Sequence, residues 1–168
     1  TSVGSLADVA GNSRELEGPV ELDIATIGGT PYAVVAAYVD DGIEIIDISD
    51  PTNPTSAGNA YIALGENTDG PYDVAITTIG DSTYAVVTGY GGTGPHGDGI
   101  EIFDISDPTD PSSIATFKDS GSRELNGPVD VAIATIGGST YAVVAGGIED
   151  AVQIIDISTP SSPSAVST

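Results

Sequence analysis

The sequence predicts an all-β protein. Its architecture is three propeller-blade-like, four-stranded antiparallel repeats, incomplete as a ring and completed head to tail by another chain. Three observations lead there. Matched segments recur in the same order, with Gly18 to Gly70 spanning 52 positions and Gly70 to Gly127 spanning 57. The apolar residues fall in short β-branched runs, and no segment sustains a 3.6-residue apolar period, so almost no helix is expected. Lastly, a strand-like segment precedes the first copy while the last copy stops part-way through its fourth strand.

Each copy opens on a Gly-Pro pair: Gly18-Pro19-Val20-Glu21, Gly70-Pro71-Tyr72-Asp73 and Gly127-Pro128-Val129-Asp130. In the first copy, the first strand runs near Val20–Ile27, and Gly28-Gly29 turns the chain. The second strand runs near Tyr32–Val39 and recurs as Tyr84-Ala85-Val86-Val87 and Tyr141-Ala142-Val143-Val144. Its core segment is apolar at successive positions, which predicts burial on both faces and therefore a sheet covered on both sides; Val34, Val35, Val86, Val87, Val143 and Val144 are expected between blades. After Asp41-Gly42 the third strand runs near Ile43–Ile48, repeated around Ile102-Phe103-Asp104-Ile105 and Ile154-Ile155-Asp156-Ile157. Paired prolines follow in every copy (Pro51 and Pro54, Pro108 and Pro111, Pro160 and Pro163), and the fourth strand runs near Ser56–Ala63. The organisation is 1–17 as an N-terminal strand completing a neighbouring blade, 18–69 as repeat 1, 70–126 as repeat 2 and 127–168 as repeat 3.

A four-stranded unit with a period a little above fifty residues has the size of a propeller blade. The segments Gly127-Pro128-Val129-Asp130-Val131-Ala132-Ile133, Tyr141-Ala142-Val143-Val144-Ala145 and Ile154-Ile155-Asp156-Ile157-Ser158-Thr159-Pro160 resemble the LVIVD-repeat family. The resemblance extends over all three copies and implies β-propeller blades of the kind found in bacterial and archaeal surface proteins, mostly non-catalytic. Propellers have about four to eight blades, so three do not close a ring. Arg14-Glu15-Leu16 matches Arg123-Glu124-Leu125, and the same offset sets Ser5–Val9 against Ile114–Lys118, a fourth-strand position. Thr168 matches Thr116, inside that strand. An open strand edge is a template for pairing. One chain's N-terminal strand completing the third blade of the next is the economical reading, giving a ring if the contacts close and a fibre if they do not.

The chain has 25 acidic and 3 basic residues and a formal net charge of −22. That balance argues against nucleic acid, which calls for clustered Lys and Arg. No apolar run approaches the roughly 18 residues of a membrane-spanning helix, so no membrane insertion is expected. There is no Cys and no Met, which removes thiolate chemistry and fits a processed, secreted product or an excised segment.

The motifs point away from catalysis. Gly92-Thr93-Gly94-Pro95-His96-Gly97 spells a dinucleotide pattern but stands between strands with no helix to follow, so it reads as a hairpin tip. His96 is the sole histidine. Paired carboxylates serve glycosidases, yet the chain lacks Trp and an aromatic sugar platform. Asp47, Asp104 and Asp156 read as caps of their own Asp-Ile-Ser turns. Two acidic sets recur in equivalent places. Asp40, Asp41, Asp98, Glu149 and Asp150 sit at hairpin tips, and Glu21, Asp73 and Asp130 sit where the first strand would line the propeller axis. Hard cations take several oxygen ligands, so both sets are candidate metal ligands, with Ca²⁺ the cofactor they suit. The expected function is a non-catalytic structural subunit of a secreted, self-assembling extracellular fibre or surface layer, whose partners are copies of itself. The alternative is a protein- or glycan-binding propeller module of a larger cell-surface protein.

Overall fold

In a computed structural model, which describes residues 3–7, 16–63, 70–91, 98–119 and 125–166, all regular structure is β. The first sheet holds β1 (Pro19–Ile27), β2 (Thr30–Ala37), β3 (Gly42–Asp47) and β4 (Thr55–Tyr61). The second holds β5 (Pro71–Ile79), β6 (Ser82–Gly89), β7 (Gly99–Asp104) and β8 (Ser112–Lys118). The third holds β9 (Pro128–Ile136), β10 (Ser139–Gly146), β11 (Ala151–Asp156) and β12 (Ser164–Ala165). Strand order within every sheet follows the chain, and all pairs are antiparallel. Each sheet is thus an up-and-down meander, the form of a propeller blade.

Local chemistry sets this geometry. Two-residue turns join the first and second strands, with Gly28 and Gly29 at φ 59° and 89° and Gly137 and Gly138 at 63° and 88°. Both central positions of such a turn need φ above zero, which glycine adopts without strain. A bulge recurs where the first strand begins, between Pro19 and Glu21 and between Pro71 and Asp73. The Asp-Ile-Ser segments cap themselves as expected: Ser49, Ser106 and Ser158 donate their N–H groups to Asp47, Asp104 and Asp156 Oδ1 at 2.8, 2.9 and 2.9 Å. The second strands end near Ala37, two residues earlier than the apolar run suggests, because Tyr38 and Val39 already turn and donate to the Gly18 and Glu17 carbonyls.

The blades pack side by side through two apolar layers. Val34, Ala36, Ile43 and Ile45 of the first blade meet Val74, Ala85, Val87 and Phe103 of the second. Val86, Ile100, Ile102 and Phe117 of the second meet Val131, Ala142, Val144 and Ile155 of the third. The first strands, β1, β5 and β9, run next to one another along the inside of the arc.

The two end blades differ from the middle one. β2 and β6 are buried on both faces over Val34–Ala37 and Ala85–Gly89, as expected. β10 alternates instead, and Val143 is only half-buried, contrary to the expectation for this position. No following blade covers its face. On the same face Val152 is 63% and Ile154 43% exposed, whereas Ile100 and Ile102 at the matching places are 0%. The first blade shows the complementary deficit: Leu22 is 50% exposed against 4% and 5% for Val74 and Val131. The outer part of that face is covered by Leu16 and Leu6, which pack on Ala33, Val35 and Ile46.

Residues 3–7 hold a fourth-strand place. A Cβ on Gly4 would collide with the Pro51 carbonyl and the Pro54 ring, as one on Gly58 would with the Pro108 carbonyl and the Pro111 ring. Gly58 pairs with Ile45 as Ala115 pairs with Ile102. Gly4 therefore matches Ala115, and Ser5 matches Thr116 rather than Ile114. The stretch from Ser5 to Arg14 is two residues longer than that from Thr116 to Arg123, which displaces the register read from the Arg-Glu-Leu match.

Candidate functional site

The starts of β1, β5 and β9 enclose a cleft of about 490 Å³ on the inside of the arc. Glu21, Asp73 and Asp130 all line it, so the structure brings together the three carboxylates expected along the axis. Their placement follows from strand alternation: the residue after each bulge points off the sheet face toward the next blade. Asp73 is nearly buried, and its Oδ2 accepts the Val131 N–H of the third blade at 2.6 Å. Burial pushes its carboxyl above the ordinary range, and the neighbouring Asp130 adds to the rise against the pull of the Val131 and Val74 amides. Asp23 makes the same kind of bridge one blade earlier, accepting the Ile76 N–H at 2.8 Å. Each first strand is the inner edge of its sheet, with amides that no strand pairs. In β5 and β9 a carboxylate on the preceding blade accepts one of them, whereas in β1 the Leu22 and Ile24 amides donate to their own Glu21 and Asp23; a charge-assisted bond is worth more than a neutral one.

The hairpin-tip acids are not drawn together. Asp40 accepts the Glu17 N–H, and Glu149 accepts the matching Asn126 N–H at 3.0 Å. Asp98 accepts the Gly91 N–H at 3.2 Å, and burial raises its carboxyl, with Asp119 and Glu149 contributing while the Gly91 and Gly127 amides oppose. Asp41 is raised by burial and by Asp40 beside it. Asp41 and Asp150 hold positive φ of 54° and 53° at the tips. Among the described residues, no three acidic or histidine side chains gather as metal ligands. His96 and the glycine-rich tip around it lie outside the described residues.

Residue-by-residue reading missed three features. Asp23 was not singled out, because its partner lies in another copy. Glu44 and Glu101 are fully buried, and Glu101 Oε2 accepts the Ala63 N–H of the preceding blade at 2.7 Å. An acid repeated inside an apolar third strand, as Ile-Glu-Ile, was the available signal. The third is an aromatic pair, Tyr72 and Tyr90, whose rings lie 6.2 Å apart beside the cleft.

Comparison with known proteins agrees with this architecture. The pattern of the LVIVD repeat matches residues 23–62, 95–119 and 138–168, more than half of the chain. A comparison with curated proteins finds no match. Among solved structures, GH43B of the Bacteroides ovatus xyloglucan locus aligns over 90% of this chain and 31% of its own, at 17% identity and a TM-score of 0.58. An exo-β-1,3-galactanase from Phanerochaete chrysosporium aligns over 95% and 39%, at 13% identity and a TM-score of 0.57. An exo-1,5-α-L-arabinanase from a bovine ruminal metagenomic library aligns over 96% and 60%, at 12% identity and a TM-score of 0.54. These likenesses concern the fold alone. The chain spans less than two thirds of each of these structures.

Proposed function

The chain belongs to the LVIVD-repeat family, and from that premise we propose that it is a non-catalytic structural subunit, secreted and joined head to tail by strand completion into an extracellular fibre or surface layer. One observation carries the reading. The face of the third blade that matches a covered face in the first and second blades is apolar and open. Contiguous apolar surface of this kind marks an interaction site.

Two fourth-strand pieces support strand completion. β12 pairs with β11 only at Ser164 and Ala165, with one further bond from the Val166 N–H to the Ile154 carbonyl. By the repeat register Ser5 shares the place of Thr168, so Leu6 and Ala7 of another copy extend the strand beyond it. Leu6 then takes the place of Phe117, which seals the joint between the second and third blades. Non-catalysis is supported by the engagement of Asp23 and Asp73 with backbone amides of the next blade. Calcium enters as relief of charge around the acidic tips rather than as a prebuilt site.

A second reading, a protein- or glycan-binding module within a larger cell-surface protein, is favoured by the open cleft with Tyr72 on its wall. The length of the gene product separates the two. A precursor of about this length supports the subunit, and a much longer one with further repeats supports the module. Negative-stain images of the purified chain test assembly directly. A chain that stays monomeric as its concentration rises overturns the subunit, and turnover of simple aryl glycosides overturns non-catalysis.

A further inference from the structure

Resting on the head-to-tail reading, we infer that the joint between copies repeats the internal blade-to-blade step. The first blade of a second copy seats on the third blade, and the Asp130 carboxylate accepts the Leu22 N–H of that copy.

Continuity with the two internal interfaces fixes the occupant. The open face of the third blade carries Ile136, Val152, Ile154 and the half-buried Val143. The matching residues of the first blade, Ile27, Ile43, Ile45 and Val34, are packed against the second blade. What covers them there is the preceding-side face of the next blade, with Val74 on its inner strand. The only such face left open among the described residues is that of the first blade, where Leu22 and Ile24 are exposed on β1. Leu22 matches Val74 and Val131 in the repeat. The two open faces are therefore the two halves of one interface already present twice.

The polar lock follows the joint between the second and third blades; at the first joint the bridge lies two positions further along both strands. Each internal joint carries one Asp whose carboxylate accepts an inner-strand amide of the next blade: Asp23 to Ile76, then Asp73 to Val131. Asp130 matches Asp73, and Leu22 matches Val131. Asp130 is exposed on the cleft wall, on the side of β9 that no blade covers. On the inner edge of its sheet the Leu22 amide donates to its own Glu21 Oε1 at 3.2 Å, a local acceptor that Asp130 of a preceding copy would replace. Seating the second copy supplies the donor to Asp130 and the apolar cover to Leu22 together. Asp130 is thus a register-determining residue of the joint.

Sedimentation velocity of the 168-residue chain and four variants tests this. The parent chain is expected to associate, and Ile154→Asp and Leu22→Asp are each expected to be monomeric alone. An equimolar mixture of those two is expected to form a one-to-one complex, because each retains the face the other lacks. Val152→Glu, at a more exposed position, replaces Ile154→Asp if that variant fails to fold. Asp130→Ala is expected to weaken association about tenfold, as loss of a hydrogen bond to a charged group does, with no fall in the monomer's melting temperature. Leu22→Asp associating like the parent, or a mixture that stays monomeric, overturns the pairing while leaving self-assembly through another surface standing. Parent-like association of Asp130→Ala overturns the lock. A parent chain that is itself monomeric overturns both the joint and the structural-subunit reading.

Discussion

Ile102 and Ile154 occupy one repeat position in two environments, and truncating each to Ala measures what a neighbouring blade contributes. Ile102 is sealed between the second and third blades, while Ile154 stands on the open face, 43% exposed. Removing a fully buried Ile side chain to Ala costs about 2–5 kcal/mol, the lost transfer energy plus a cavity term. The middle of that range, about 3.5 kcal/mol, lowers the melting temperature by roughly 10 °C in a chain of this size. Ile154→Ala loses only part of the transfer term and leaves no enclosed cavity. About 1 kcal/mol, or roughly 3 °C, is expected in dilute monomer. Circular dichroism melts at low concentration read both values. Equal losses at the two positions would show that the third blade's face is covered within the monomer, and the argument for an interface there would fail.

Other outcomes follow from the same structure. Deleting residues 1–10 should leave the apolar layers between blades intact and abolish head-to-tail association, checked by light scattering of the truncated chain. Asp130→Asn should raise the melting temperature at pH 7 and leave it unchanged near pH 3. The raised carboxyl of Asp73 stabilises the fold while protonated, and that stability is lost as pH rises through the carboxylate range; removing the neighbouring charge returns part of it. Val86→Asp should cost several kcal/mol by burying an unpaired charge, so a mutant that folds normally would contradict burial on both faces of β6. Millimolar Ca²⁺ should raise the melting temperature beyond an ionic-strength-matched sodium salt; coincident curves in chelator and in Ca²⁺ would leave salt adaptation to account for the acidity.

The strands were legible because their chemistry is local. Tyr-Ala-Val-Val and Ile-Asp-Ile-Ser runs favour a pleated surface, and Gly-Gly and Pro-x-x-Pro segments end them wherever they occur. The convergence of Glu21, Asp73 and Asp130 on one cleft was legible for a related reason, since equivalent positions in stacked repeats share a line. Exposure was not. Val86 and Val143 sit in nearly identical local sequence, and only the presence or absence of a next blade distinguishes them. The bridges from Asp23 and Asp73 were hidden likewise, because donor and acceptor lie 53 and 58 residues apart in different copies. The recurrence of the tip acids did not show that Asp40, Asp98 and Glu149 each accept a backbone amide from another part of the chain.

The glycine turns between the first two strands of each blade have a practical use. A Cβ placed on Gly28, Gly29, Gly80, Gly137 or Gly138 would have no atom within 4 Å. These turns end the strands whose beginnings form the cleft, and nine strand residues separate the two by roughly 30 Å. A peptide or fluorophore grafted there would stand clear of the cleft. Three such grafts per chain, carried on one rim, would turn any head-to-tail array into a regularly spaced display scaffold.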